Sequence, residues 1–404
     1  MVQLKKQYVR YIIAAVILAA AVLWVIRLNS ITRTQLINRT GQSFETGVVV
    51  RILQDNIQED GMRIGQQTVV VRMTSGEKKG EELTTTSSAG YLFGAACTVG
   101  MRVVVMQSIA GDSVITSVYS MDRKEVIIGF AVLYLGTLCV IGGKKGIRGA
   151  LGLVFTFVAI IYVYLPLVYQ GQSPFMSAVF ICAVTAAVTL YLIGGAGKKT
   201  VCATAGTLAG VVIAGGAAAI FSRLSGITGW NVSDIESLLT LWQTNNIQVG
   251  GLLFSGLLIS SLGAVMDVAM SISSSMQELC SQNPEISRLE LMRAGMRVGR
   301  DMMGTDSNTL ILAFAGTSLS MLVLDYAYDL PLLQIINSNN IGIAVMQGLS
   351  GSFGIVLAVP VTVLLAVAVY PRNRPRNHSQ SPSTLFPAAC SPVHPQEKSG
   401  TKNA

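Results

Sequence analysis

The chain has 404 residues, 51% of them hydrophobic and only 12% charged, where roughly a quarter charged is usual for a soluble domain. That balance excludes an ordinary soluble enzyme and implies a membrane protein. The net charge of +8 does not point to nucleic acid, because Lys and Arg fall in short clusters between apolar runs rather than on one basic domain.

In chain order, Lys5, Lys6 and Arg10 precede an apolar run over 11–26. It reads as an uncleaved anchor, since no small-x-small cleavage site follows before Arg27. Residues 27–124 carry 11 basic and nine acidic residues. Within them "FETGVVVRIL", "QQTVVVRM", "EELTTTSS", "MRVVVMQS" and "DSVITSVYS" alternate polar with Val, Ile or Thr, the signature of strands. Asp60-Gly61, Ser75-Gly76 and Gly111-Asp112 are turn signals between them, and "AGYLFGAACTVG" reads as a loop plus a strand entry. Five short strands in this length predict a small β-rich domain, either an oligonucleotide/oligosaccharide-binding type of barrel or a sandwich.

A span needs about 20 mostly apolar residues. Further runs at 126–141, 147–168, 174–193, 201–221, 249–267, 309–324 and within 341–370 bring the expected number of spans to eight. The last run is interrupted by Gln347, Gly348, Gly351, Gly354 and Pro360, which predicts a kinked helix or an interfacial piece followed by a span near 353–370. Residues 371–404 are rich in proline and lack a helical period, so a disordered tail is expected there.

Lys144, Lys145, Arg148, Lys198, Lys199, Arg288, Arg293, Arg297 and Arg300 sit in alternate connections, whereas the intervening short ones hold only Arg223. By the positive-inside rule both termini are cytoplasmic and the β-rich segment is outside. The expected architecture is an all-α polytopic bundle with an extracytoplasmic β-rich domain between its first two spans. Its parts are 1–26 (N-terminus and anchor), 27–124 (β-rich domain), 125–370 (seven further spans) and 371–404 (tail).

The six cysteines share no CxxC spacing, and both histidines, His378 and His394, lie in the tail. No metal site, cofactor site or catalytic constellation is expected, and HExxH and GxSxG motifs are missing.

One acid stands out. "GAVMDVAMSISSSMQEL" over 263–279 places Asp267 near the end of an apolar run, where a carboxylate in mid-span costs about 2.5–3.5 kcal/mol on insertion scales. Helical spacing puts Ser260, Ala264, Asp267, Ser271, Ser274 and Glu278 on one stripe, expected to face the bundle or a water-filled cavity. Asn283-Pro284 is expected to open the next helix, whose Arg293, Arg297, Arg300 or Asp301, Gly304 and Asn308 recur at helical spacing and supply candidate partners. An Arg against Asp267 would keep the acid ionised. Asp306 in "GTDSNTL" reads either as an N-cap of the following span or as a second acid of the same site. Gly206, Gly210, Gly295 and Gly299 predict close helix packing.

The blocks "LGAVMDVAMSISSSMQEL", "NPEISRLELMRAGMRVGRDMMGT", "SNTLILAFAGTSL" and "GSFGIVLAVPVTVLLA" resemble those of the YibE/YibF-like family of multi-pass bacterial membrane proteins. The resemblance extends over roughly 40–370, and the tail departs from the family pattern. It implies a plasma-membrane protein and assigns no biochemical activity. The layout is also similar to one half of the proton-driven SecD/SecF exporters. Two functions are therefore expected from different classes. One is a transport component with a proton or ion site at Asp267, Ser271, Arg297, Arg300, Asp301, Asp306 and Asn308. The other is a scaffold that binds a partner chain through its external β-domain. Besides the lipid bilayer, a homo- or hetero-oligomer with a similar subunit is expected.

Overall fold

The computed structural model describes residues 19–30, 41–59, 61–88, 94–110, 113–232 and 235–370. The start of the expected anchor, the turns at Asp60 and Gly111-Asp112, and the expected disordered tail lie outside them.

The alternating segments form β1 (Gln42–Gln54), β2 (Gln66–Met73), β3 (Glu82–Ser88), β4 (Arg102–Ala110) and β5 (Ser113–Met121). They close a barrel in the order β1-β2-β3-β5-β4, with β4 returning to β1. Every pairing is antiparallel except β3 with β5. Period-two alternation turns Val49, Val69, Val71, Val103, Val105 and Val118 into the interior. Each such burial contributes about 1.5–3 kcal/mol. Buried Gln67 ties the barrel to the loop before β4. Its Nε2 donates to the Cys97 carbonyl (3.0 Å) and to Asp55 Oδ1 (3.1 Å), while the Cys97 N–H donates to its Oε1 (2.9 Å). Gly76 turns β2 into β3 at φ +84°, and a side chain there would strike the Glu45 carboxylate. Residues 94–100 form no strand, and β4 starts at Arg102.

The helical region comprises α1 (Ala19–Asn29), α2 (Lys124–Ala159), α3 (Leu165–Tyr169), α4 (Pro174–Gly194), α5 (Lys198–Ser225), α6 (Ile235–Asn245), α7 (Gly250–Gln282), α8 (Arg288–Thr317), α9 (Leu319–Ala327), α10 (Leu332–Ile336) and α11 (Asn339–Val369). A π-helical turn, Ile160–Tyr164, joins α2 to α3. Pro166 has no N–H for the Tyr162 carbonyl four residues earlier. Asn29 Nδ2 donates to that oxygen instead, at 2.7 Å. With Gln170 Nε2 donating to the Leu28 carbonyl and Trp24 edge-on to Phe180, this fastens α1 to the bundle.

Small residues let the central helices cross closely. A Cβ at Gly354 of α11 would lie 2.7 Å from the Gly210 carbonyl of α5, and one at Gly210 would lie 2.8 Å from Ala358 Cβ. Gly206 abuts Thr362. The packing expected of the 206–210 pair is thus observed, backbone against backbone.

Among the described residues, five helices are long and apolar enough to cross a membrane, or six if α8 and α9 form one bent span. The described residues thus show fewer than the eight spans expected, for identifiable reasons. The runs 126–141 and 147–168 belong to one 46-residue element, Lys124–Tyr169, broken at Gly143 (φ 53°, ψ −136°), where Gly146 comes against the Leu138 carbonyl. The run 309–324 is not one straight helix: α8 and α9 meet at Ser318 with a 56° bend. The last run is one helix, α11, continuous over 31 residues with Pro360 inside it, rather than an interfacial piece followed by a separate span.

Candidate functional site

Three helices meet at one level of the bundle. Ser273 Oγ of α7 donates to the Lys199 carbonyl in the first turn of α5 (2.8 Å), and Tyr370 OH, just past α11, donates to the Ser273 carbonyl (3.3 Å). Lys198 and Lys199 mark this as the basic end. Asp267 lies six residues from Ser273 toward the apolar middle, about 9 Å along the axis at ~1.5 Å per residue. The helix does not end before it, because all of 263–279 is within α7.

α8 returns antiparallel beside α7. Ser287 and Glu290 form a reciprocal capping box at its start. This corrects the expectation that Asn283-Pro284 opens the helix. Gly295 seats on Met276 and Val363, and Gly299 on Ile272 and Val359. That register carries Asp306 to the level of Asp267 and into its electrostatic reach. Asp306 is residue 19 of the 30 in α8, so the N-cap reading is overturned: the capping signal is at Ser287 and the helix runs unbroken through "GTDSNTL".

Two carboxylates on adjoining helices are therefore within electrostatic reach of each other, Asp306 half-buried and Asp267 exposed. Asp267 is on the exposed stripe of α7, with Ser260 and Glu278 also exposed and Ala264, Ser271 and Ser274 half-buried. Val265, Val268 and Ile272 are buried on the opposite side. Among the described residues no hydrogen bond or ion pair reaches Asp267. Oδ2 of Asp306 and Oγ of Ser307 are buried without a partner. Ser352 Oγ of α11 donates to the Gly348 carbonyl (2.8 Å) and more weakly to the Ser307 carbonyl (3.4 Å). An apolar cavity of about 280 Å³, lined by Ile311, Ser318, Gly348 and Leu349 among others, begins one turn from Ser307 and Ser352 and reaches the α8–α9 break.

The other site residues read from the sequence do not converge here. Arg297, Arg300, Asp301 and Asn308 are exposed, and no ion pair joins either arginine to Asp267. They lie away from the face that carries Gly295, Gly299 and Leu310 into the bundle. Ser307 and Ser352 escaped the sequence reading. Their signals were a hydroxyl next to Asp306 and small polar residues at 350 and 352 within an apolar helix. No group of three or more His, Cys, Asp and Glu suited to a metal occurs among the described residues. Two carboxylates with adjacent hydroxyls and carbonyls are suited instead to a proton or a small cation.

The family model for the YibE/F-like protein matches residues 130–372, more than half of the chain. The chain belongs to the YibE/F-like family. The match takes in α7, α8 and α11, so both carboxylates lie within the family region of this YibE/F-like protein, whereas its barrel lies outside it. No curated protein and no solved structure matches the chain.

Proposed function

We propose that this YibE/F-like protein is a transport component of the plasma membrane, coupled to a proton or a small cation at Asp267 and Asp306. The observation that carries this is a pair of carboxylates on adjoining apolar helices, brought to one level by the seating of Gly295 and Gly299, with no basic partner among the described residues. Like charges in such surroundings repel strongly unless a cation neutralises one of them. The buried, unpartnered oxygens of Asp306 and Ser307 support a site that is completed by something other than the protein. The bend between α8 and α9 supports the same reading, since interrupted helices build many transporter sites. No catalytic role is assigned to any residue.

In this reading the basic end faces the cytoplasm, with both termini there and the barrel outside. Lys124–Tyr169 counts as two spans folded back at Gly143, because 46 residues would extend roughly 70 Å across a hydrocarbon core of about 30 Å. Proteoliposomes under an imposed membrane potential, loaded with a proton- or sodium-sensitive dye, test it. Wild type takes up one of the two ions, and Asp267→Asn inserts equally but shows background uptake. Unchanged uptake in that variant, or none of either ion in wild type, would falsify the reading.

A scaffold role is the second reading, supported by exposed Phe44, Ile115 and Tyr119 on the barrel, the two rings edge-on at 5.2 Å. A partner chain would dock there. In a strain lacking the protein, rescue by Asp267→Asn but not by Phe44→Ser/Ile115→Ser would favour this role over transport.

A further inference from the structure

The arginines of α8 raise a separate question, because they are not drawn into the carboxylate pair. Arg293, Arg297 and Arg300 line a groove of about 410 Å³ together with Met292 and Met296. All three guanidinium groups belong to exposed residues, and none forms an ion pair among the described residues. Glu290, within electrostatic reach of Arg293, is held by its capping bonds to Ser287. Asp301 next to Arg300 is exposed and does not bridge to it.

The depth of the groove is fixed by the same contacts that place the carboxylates. Gly299 lies against Ile272, one residue from the Ser273–Lys199 bond, and Gly295 lies against Met276, a turn farther toward the basic end. The arginines are therefore at the boundary where α5 begins and α11 ends, on the side of α8 away from its buried Leu291, Gly295 and Gly299. Met292 and Met296 pack partly against the core between α7, α8 and α11 and leave the rest of their surface in the groove beside the three cations. A setting that suits both is the headgroup region, with methionine against the glycerol and first methylenes and guanidinium on phosphate.

We propose that the Arg293–Arg297–Arg300 groove binds the phosphate of an anionic phospholipid in the leaflet at the basic end of the bundle. The planar guanidinium forks suit bidentate contact with phosphate oxygens. The spacing of three, four and seven residues along one helix face lets two or three guanidiniums reach a single headgroup. This site is independent of the cation reading, since neither Asp267 nor Asp306 takes part.

The test uses the full chain in phosphatidylcholine nanodiscs doped with phosphatidylglycerol, read by native mass spectrometry. Wild type enriches the anionic lipid. The triple variant Arg293→Gln/Arg297→Gln/Arg300→Gln loses that enrichment, by roughly fivefold per arginine, and Lys198→Gln/Lys199→Gln at the same level lowers it less. Arg297→Gln alone lowers it by roughly fivefold and serves if the triple variant inserts poorly. Enrichment unchanged in Arg297→Gln and the triple variant, or lost equally in the lysine variant, overturns the proposal. Displacement of the lipid by millimolar inorganic phosphate also overturns it, by showing a site for a soluble anion.

Discussion

The barrel and the helical bundle treat buried polar groups in opposite ways. Inside the barrel, Gln67 spends its amide on the Cys97 backbone and Asp55, so the most polar side chain of that core is satisfied on both its oxygen and its nitrogen. The barrel's exception is one hydroxyl, that of Thr85. In the bundle the unpartnered buried atoms among the described residues are the hydroxyls of Thr189 and Ser307 and a carboxylate oxygen of Asp306, the last with a second acid, Asp267, within electrostatic reach. An unsatisfied hydroxyl is a small cost, whereas a carboxylate held near another in an apolar setting is a large one. Each domain thus leaves a threonine hydroxyl unpartnered, but only the bundle leaves a carboxylate so among the described residues, and the proposed site rests on that difference.

The largest effect is expected where satisfaction is complete. Gln67→Leu keeps the volume of the side chain but strands the Cys97 N–H and carbonyl, and should cost about 2–4 kcal/mol. Hydrogen exchange resolved at the Cys97 amide measures it, and protection equal to wild type would show that the Gln67 pair is dispensable. The barrel's pH response should be smaller and is set by the same loop. Burial pushes the Cys97 thiol up from its ordinary value, against weaker lowering by the Ser87 hydroxyl and by Arg63. A thiol that holds its proton more tightly when folded stabilises the fold fully below the unfolded value of about 8.5 and progressively less as pH rises through the folded one. Alkylation of the Cys97 peptide should therefore lag behind that of an exposed thiol throughout the range in which an exposed thiol ionises. Equal rates at pH 8 would mean that the loop opens freely.

How far this contrast could be read in advance depends on the range of the signal. The strands were legible to within two residues because Val alternates with polar residues over β1, β2 and β4. Their order was not, since the parallel β3–β5 contact that closes the barrel leaves no local trace. The polar stripe through Asp267 was visible at helical spacing, but its neighbour was not. Asp306 sits 39 positions away and is brought alongside only by the seating of Gly295 and Gly299 on α7 and α11. Local chemistry also misled: "GTDSNTL" resembles a helix start, yet the capping box at Ser287 had already begun the helix. Counting apolar windows does not by itself settle the number of spans, for a related reason. A window records hydrophobicity, while the glycine break in α2 and the bend at Ser318 decide how the segments cross.

The smallest expected change in stability is the most informative about the bundle. Asp306→Asn keeps the shape of the side chain, removes a like charge beside Asp267 and leaves a group that can donate as well as accept. If the acid were there to hold α7 against α8, its loss would resemble that of Gln67 and cost several kcal/mol. If it is there for an ion, thermal unfolding in detergent should shift by less than about 1 kcal/mol, or toward greater stability, as when an uncompensated charge is removed from an apolar setting. Ion uptake should fall to background in the same variant. A destabilised protein with uptake intact would reverse the assignment, making the pair part of the packing and returning the search for function to the barrel.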